Sequence, residues 1–367
     1  MRKWLGLVIM VLVAAGIGLA QYLGKSDLLK KVEPLPEATV TVLVGGEKMD
    51  FLKDEEVQKL LKNKWSLTLD TRKAGSLEMV AMATAGIDGL WPSSQVASDI
   101  YRRNNGVLLA EETIFNSPVV AYASAEVAEA LIRAKIAEKR DGTVYLVDCP
   151  KLFSMNEQGL PWSTLGLPHL TGRVKVHSSD PTTSNSGVMF LGLLANILNG
   201  GDVVTEQELP KVKNRVVGYF KKLGTMERST SDLFKTFLSN LMYKPIIIGY
   251  ENQIVEYSLQ NPSYADLLKA QIRTMYPVPT VWSSHPFLAT TANGKRLLEA
   301  LKDPEIQRIA WEKHGFRSGL LGVQNDPKVL MIGGIPKTVD AIVQVPASPV
   351  MQLLIAGMAE PATTTGN

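Results

Sequence analysis

With 367 residues, 45% of them hydrophobic, and a net charge of +3, the chain has enough apolar material for two ordinary domains. A nucleic-acid partner would require a basic stripe, and the sequence has no such block, so nucleic acid is excluded. A lone cysteine, Cys149, rules out an internal disulfide. Beside Val147 and Pro150 it reads as a small buried side chain rather than a nucleophile.

The chain opens with a basic MRK and continues uncharged and mostly apolar from 4 to 20. Gly18 and Ala20 place small residues where a secretory signal is cut before Gln21. The uncharged run reaches Gly24, which is also long enough for a retained membrane anchor. Arg2 and Lys3 on the cytoplasmic side send the remainder outward in both cases. Without them the charge falls to 3 − 2 = +1. The expected location is the periplasm or the extracellular face of the cytoplasmic membrane, with residues 25–37 a charged, proline-ended linker.

From 38 to 45 the residues alternate as a β-strand, and Asp54 caps a helix that runs through Leu61. A second strand is expected at 65–70, a helix from 76 to about 85, a short strand at 88–91 and a helix to about 103. Repetition of strand, loop and helix in this order predicts a parallel sheet with helices on its faces. Next come an apolar strand at 114–123 and a helix capped by Ser124, with Val127, Leu131 and Ile132 at helical spacing. Residues 144–147 read as a strand, followed by a loop rich in glycine and proline. Residues 174–198 read as a strand, a polar turn (DPTTSNSG at 180–187) and a helix. Further helices are expected at 206–223 and 231–242, a strand at 245–250, and helices at 264–274, 295–301 and 303–314. The stretch after Lys337 receives no assignment.

Ligands of open α/β sheets bind at the carboxyl ends of the strands. Here those ends carry small polar residues at 46–47, 75–76, 93–94 and 183–187, with Tyr250 and Glu251 at a fifth. Serines and asparagines at helix starts are ordinary caps, yet the same N-termini offer unpaired N–H groups and partial positive charge to an anion.

The order of these segments resembles the type II periplasmic solute-binding proteins of ABC importers, nearest their molybdate, sulfate and phosphate members. The carrying motifs are VTVLVGG at 40–46, DGLWPSS at 88–94, NSPVV at 116–120 and the 180–187 turn. YPVP at 276–279, LLEALKDPEIQ at 297–307 and HGF at 314–316 complete the set. The likeness runs from about 38 to 317. It implies an α/β fold of two lobes, each a mainly parallel sheet flanked by helices, closing like a hinge over a small-molecule ligand. Residues 38–120 and 250–340 would form the first lobe, 121–249 the second and 341–367 a tail. Carried over by position, Gly46, Glu47, Gly75, Ser76, Ser93 and Ser94 would bind from one lobe. Thr183, Ser184, Asn185 and Ser186 would bind from the other, with Tyr250 and Glu251 near the crossing. Glu47 and Glu251 depart from an oxyanion site, since a carboxylate there repels an anion, and they leave the ligand open. The resemblance also implies an ABC permease partner, a monomer and no cofactor.

The four histidines, His169, His177, His285 and His314, show neither i,i+4 pairing nor HExxH, so no metal site is expected. No GxGxxG or GxSxG is present, and no catalytic residue is expected. Two alternatives stand beside the binding protein. One is a membrane-tethered signalling or assembly module with a vestigial cleft; the other is a hydrolase with an unrecognised site.

Overall fold

The structure, a computed structural model, describes residues 35–82, 84–104 and 108–359. The expected signal or anchor at 1–24 therefore lies outside the described residues. Among the described residues no helix is long and apolar enough to cross a membrane. From Ala38 onward the chain forms one compact unit.

Local chemistry fixes most of the elements. Strand β1 (Ala38–Val44) leads through a short helix α1 (Met49–Lys53) to α2 (Glu55–Trp65). Asp54 caps α2 by accepting from the N–H groups of Glu56 and Val57. Strand β2 (Leu67–Lys73), helix α3 (Ser76–Ala81), β3 (Gly89–Trp91) and α4 (Gln95–Asn104) follow. The long β4 (Ala110–Ser124) ends at the Ser124 cap of α5 (Ala125–Arg133). Then come the hairpin β5 (Ala137–Arg140) and β6 (Val144–Asp148), and α6 (Cys149–Glu157), which replaces the expected loop. Burial pushes the Cys149 thiol up to about 12, in keeping with an inert core side chain.

Helices α7 (Asn185–Leu198), α8 (Leu209–Lys221) and α9 (Thr230–Ser239) precede β7 (Ile246–Tyr250), α10 (Glu251–Gln260) and α11 (Ala265–Gln271). Next are β8 (Ile272–Val278), β9 (Trp282–Ala289), α12 (Ala292–Leu301), α13 (Pro304–His314) and β10 (Arg317–Ser318). A last helix, α14 (Ser348–Ala359), lies in the stretch that received no assignment. The strand expected to open the 174–198 stretch contracts to a bridge between His177 and Ile247.

Two sheets share β4. The first has the order β2–β1–β3–β9–β4, with β10 also on β4. The second has β5–β6–β8–β4, with β7 on the other side of β4. Pro118 pairs with Trp282 in the first sheet and Val119 with Tyr250 in the second, so the chain changes lobes between those two residues. Both sheets are mixed. Pairing of β1 with β2 and β3 is parallel, but β9 runs antiparallel to β3 and β4, and in the second sheet β4 runs antiparallel to β7 and β8. The expected return to the first lobe near residue 250 is corrected by the pairing. Both β7 and β8 lie in the second sheet, and the chain returns only between Val278 and Trp282.

In the first lobe the core is aromatic. Phe51 meets Trp91 and Phe115 edge-on, and Phe115 stacks on Phe316 with centroids 5.0 Å apart. After β10 the chain passes back across the crossing strands, where Thr280 donates to the Ala341 carbonyl at 2.8 Å. Helix α14 then packs on α7 and α8 of the second lobe and on α4 of the first.

Candidate functional site

Between the lobes lies a cavity of about 540 Å³. Its first-lobe wall is made by the loops after β1 (45–47) and β2 (73–78). Its second-lobe wall is made by the 181–185 turn, the 228–232 segment and Tyr250. Lys73 arches over Gly46; a Cβ there would lie 2.7 Å from Lys73 Cε, the flexible end of an exposed side chain. Gly75 precedes α3, and its N–H donates to Glu78 Oε2 at 3.0 Å. On the opposite side, α7 and α9 both begin at the cavity. Their first residues carry a hydroxyl cluster in which Ser179 lies 2.8 Å from Ser184 and 2.7 Å from Ser186. Thr230 lies 3.2 Å from Ser184. The turn is braced by Thr183, whose hydroxyl donates to the Arg228 carbonyl at 3.0 Å. Asn185 ties the lobes together, its Nδ2 donating to the Ser93 carbonyl at 2.7 Å and to the Tyr250 hydroxyl at 2.9 Å.

Glu47 does not confront a ligand with a free carboxylate. The next residue, Lys48, is fully buried and turns its ammonium onto Glu47 Oε1. The same ammonium reaches Ser93 Oγ at 2.7 Å and His285 Nδ1 at 3.1 Å. Ser93 also donates to Glu47. An ammonium only donates, so His285 accepts at Nδ1 and carries its proton on Nε2, which faces Ser283 Oγ at 3.5 Å. Burial and the Lys48 charge hold His285 well below its ordinary pKa, so the ring is neutral. Burial alone would push Glu47 up, but Lys48 and Ser93 bring it down to about 2. Burial draws Lys48 down as well, against the raising pull of Glu47.

The remaining charges of the wall are two carboxylates, Glu78 and Asp232, and two cations, Lys73 and Arg228. Glu78 accepts from its helix N-terminus and Asp232 accepts from the Ser229 hydroxyl at 2.6 Å, so both carboxylates are fixed at the starts of their own helices. Lys73 from the first lobe and Arg228 from the second line the cavity, and neither forms an ion pair among the described residues.

Of the expected site residues, Gly46, Glu47, Gly75, Ser76, Thr183, Ser184, Asn185 and Tyr250 line the cavity. Four do not, and each has another task. Ser93 is buried behind Glu47 and presents its carbonyl to Asn185 and Ser283. Ser94 is buried and accepts from the Ala97 N–H at 3.4 Å, at the start of α4. Ser186 is buried within the hydroxyl cluster. Glu251 forms a buried pair with Arg317 at 2.6 Å and accepts from Tyr276 at 2.5 Å, so it joins α10 to β10 instead of facing the cleft. Sequence reasoning missed Lys73, Arg228, Ser229 and Thr230. The available signal was STSD at 229–232, a serine followed three residues later by an acid at a helix start. Among the described residues, no group of three or more His, Cys, Asp or Glu is placed to hold a metal ion.

No family model matches the chain, and no curated protein matches it. Solved structures do. Iron-bound HitA from Pseudomonas aeruginosa is similar with a TM-score of 0.55 and 13% identity, covering 89% of this chain and 100% of that one. The substrate-binding protein of an ABC transporter from Agrobacterium tumefaciens gives 0.54 and 10%, covering 90% and 96%. Apo ferric ion-binding protein A from Pasteurella haemolytica gives 0.52 and 14%, covering 88% and 96%. The chain therefore has the two-lobed α/β fold of the type II periplasmic solute-binding proteins of ABC importers.

Proposed function

We propose that this protein is an extracytoplasmic solute-binding protein that captures a small oxyanion between its lobes and delivers it to an ABC-type permease. One observation carries the reading. Lys73 of the first lobe and Arg228 of the second, neither in an ion pair among the described residues, line a cavity at which helices α7 and α9 begin. Of its three carboxylates, Glu47 is neutralised by Lys48, while Glu78 and Asp232 are held by the N–H and hydroxyl groups of their own helix starts. Helix N-termini and hydroxyls supply donors, and cations from opposite lobes supply charge, which together suit oxygen anions. An anion that touches both cations is neutralised only when the lobes are closed, so binding and closure are coupled through the ligand's charge. The neighbours' role in transport supports the permease partner, and the fold requires no chemistry of its own.

The test is a thermal-shift series on the purified chain with sulfate, molybdate, phosphate, citrate, ferric ion, amino acids, spermidine and sugars. A true ligand at a hundred times its dissociation constant stabilises the folded chain by about 2.7 kcal/mol. The expected result is a shift with an oxyanion, reduced by Arg228→Gln and by Lys73→Gln. A shift with spermidine, a sugar or bare ferric ion overturns the anion assignment. Silence across the series, from a well-folded sample, favours a partner-binding module instead.

A further inference from the structure

A second cavity, of about 560 Å³, shares no residue with the interlobe cleft. It lies on the second lobe, between the β5–β6 hairpin, the junction of α11 with β8, and the 327–334 segment of the returning chain. Its floor is apolar: Ile254, Leu268, Ile272, Leu330 and Ile332 are buried there. Its lining carries four cations, Lys139, Lys269, Arg273 and Lys328, and no aspartate or glutamate.

The cations are held, but not neutralised. Tyr145 is buried between two of them, with the Lys139 ammonium 5.4 Å and the Arg273 guanidinium 5.6 Å from its ring centre. Arg273 Nε donates to the Tyr145 hydroxyl at 3.0 Å, and Nη1 donates to the carbonyls of Lys269 and Ile272 at 2.7 and 2.9 Å. These are neutral acceptors, so the guanidinium is fixed in place with its charge uncompensated. Lys269 has only the exposed Asp266, at 3.9 Å. Lys139 and Lys328 make no ion pair among the described residues. Four like charges around one hollow repel each other, and the chain as a whole carries only +3, so the concentration is local.

We propose that this cavity binds an amphipathic organic anion, a phosphate, sulfonate or carboxylate head on an alkyl or aryl body. The head is taken by the cationic rim and the body by the Ile254–Leu268–Leu330 floor. The volume falls within the usual range of small-molecule sites, roughly 300–1,000 Å³. The inference does not rest on what the interlobe cleft binds. The same head group could belong to a free solute or to a membrane lipid, and the assay separates the two.

Octyl phosphate, kept below its micelle concentration, is titrated calorimetrically into the full chain carrying Lys73→Gln, which weakens anion binding in the cleft, with inorganic phosphate as the head-only control. Stoichiometric binding of octyl phosphate is expected, at least tenfold tighter than inorganic phosphate at this site. The double variant Lys139→Gln/Lys328→Gln should weaken it at least tenfold. Both side chains are exposed, so the variant should keep the parent melting temperature and its response to the cleft ligand. Arg228→Gln, in the cleft, should leave octyl phosphate binding unchanged. Undiminished binding by the double variant, loss of binding in Arg228→Gln, or equal affinity for inorganic phosphate would each overturn the proposal. Co-sedimentation with phosphatidylglycerol vesicles, lost in the double variant, would identify a lipid head group; binding of octyl phosphate without vesicle binding would identify a free solute.

Discussion

Replacing Lys48 by methionine tests the electrostatics of the cleft most directly. The side chain is fully buried and donates to Glu47, Ser93, His285 and, at 3.5 Å, the Pro92 carbonyl, while the Glu47 side chain keeps 15% exposure on the cavity side. Methionine preserves much of the volume and removes the charge, leaving the carboxylate with the Ser93 hydroxyl and, 3.8 Å away, His285 Nδ1. Breaking a buried pair from one side costs about 3–5 kcal/mol, because the surviving charge is stranded in a poor solvent. In Glu47→Gln/Lys48→Met the stranded charge is gone, and roughly half of that loss or more should return. Urea unfolding followed by tryptophan fluorescence measures both variants. The same pair of variants has a second readout. A stranded Glu47 on the cavity wall repels an anion, so Lys48→Met should bind the oxyanion more weakly and the double variant should recover. If Lys48→Met unfolds within about 1 kcal/mol of the parent, or the double variant is no more stable than the single, the pair does not neutralise Glu47 as argued.

Asn185→Ala removes the two hydrogen bonds that join Ser93 and Tyr250 across the lobes; since Ser93 keeps its bond from Ser283, the loss should be about 1–2 kcal/mol by urea unfolding. Gly187→Ala should destabilise by about 1–3 kcal/mol or prevent folding, because its Cβ would lie 2.5 Å from the Ser179 carbonyl and 2.7 Å from the Pro181 nitrogen, both backbone atoms; a melting temperature equal to the parent's would contradict the packing of the turn. Acid should weaken the fold well before Glu47 takes up a proton. Burial, then Lys244 and Lys175, lower His177 to about 4, and His285 is also held well below its ordinary value. Both rings stay neutral in the folded chain while the unfolded chain takes up protons, so stability falls as pH drops from about 6.5 towards 4, by on the order of 1 kcal/mol per pH unit for each histidine. His177→Gln should flatten that slope in a pH series of urea midpoints.

What the sequence disclosed was mostly local. Asp54, Ser124 and Asp303 announce their helices because a capping side chain bonds N–H groups two or three residues away, and the DPTTSNSG turn precedes α7 for a similar reason. Strands β8 and β9 were hidden by prolines. Pro277 and Pro286 interrupt any strand pattern, and the structure tolerates Pro286 opposite Thr113, where the ladder with β4 slips at an irregularity. The lobe boundary was misplaced because β8 and β9 are neighbours in sequence but belong to different sheets, which only pairing with β4 reveals. Residue types alone marked Glu47 and Glu251 as obstacles to an anion. Their neutralisation depends on Lys48 turning inward and on Arg317 arriving from the far end of the chain, and the second of these is a long-range fact. Lys73 and Arg228 went unnoticed because their value lies in having no partner, which no local pattern records.

The last helix gives the cleft a mechanical limit. Gly192 on α7 receives Met351 and Val345 so closely that an added Cβ would stand 3.1–3.2 Å from them, and Gly357 is fitted in the same way against Lys213 and Val217 of α8. These two recesses seat α14 on the second lobe, whereas its contact with α4 reaches over to the first. Any gaping of the lobes must therefore be taken up as sliding between α14 and α4. In the solute-binding role proposed above, the C-terminal helix is a stop on the hinge, and a chain shortened before Ser348 is expected to swing further and spend more of its time unclosed.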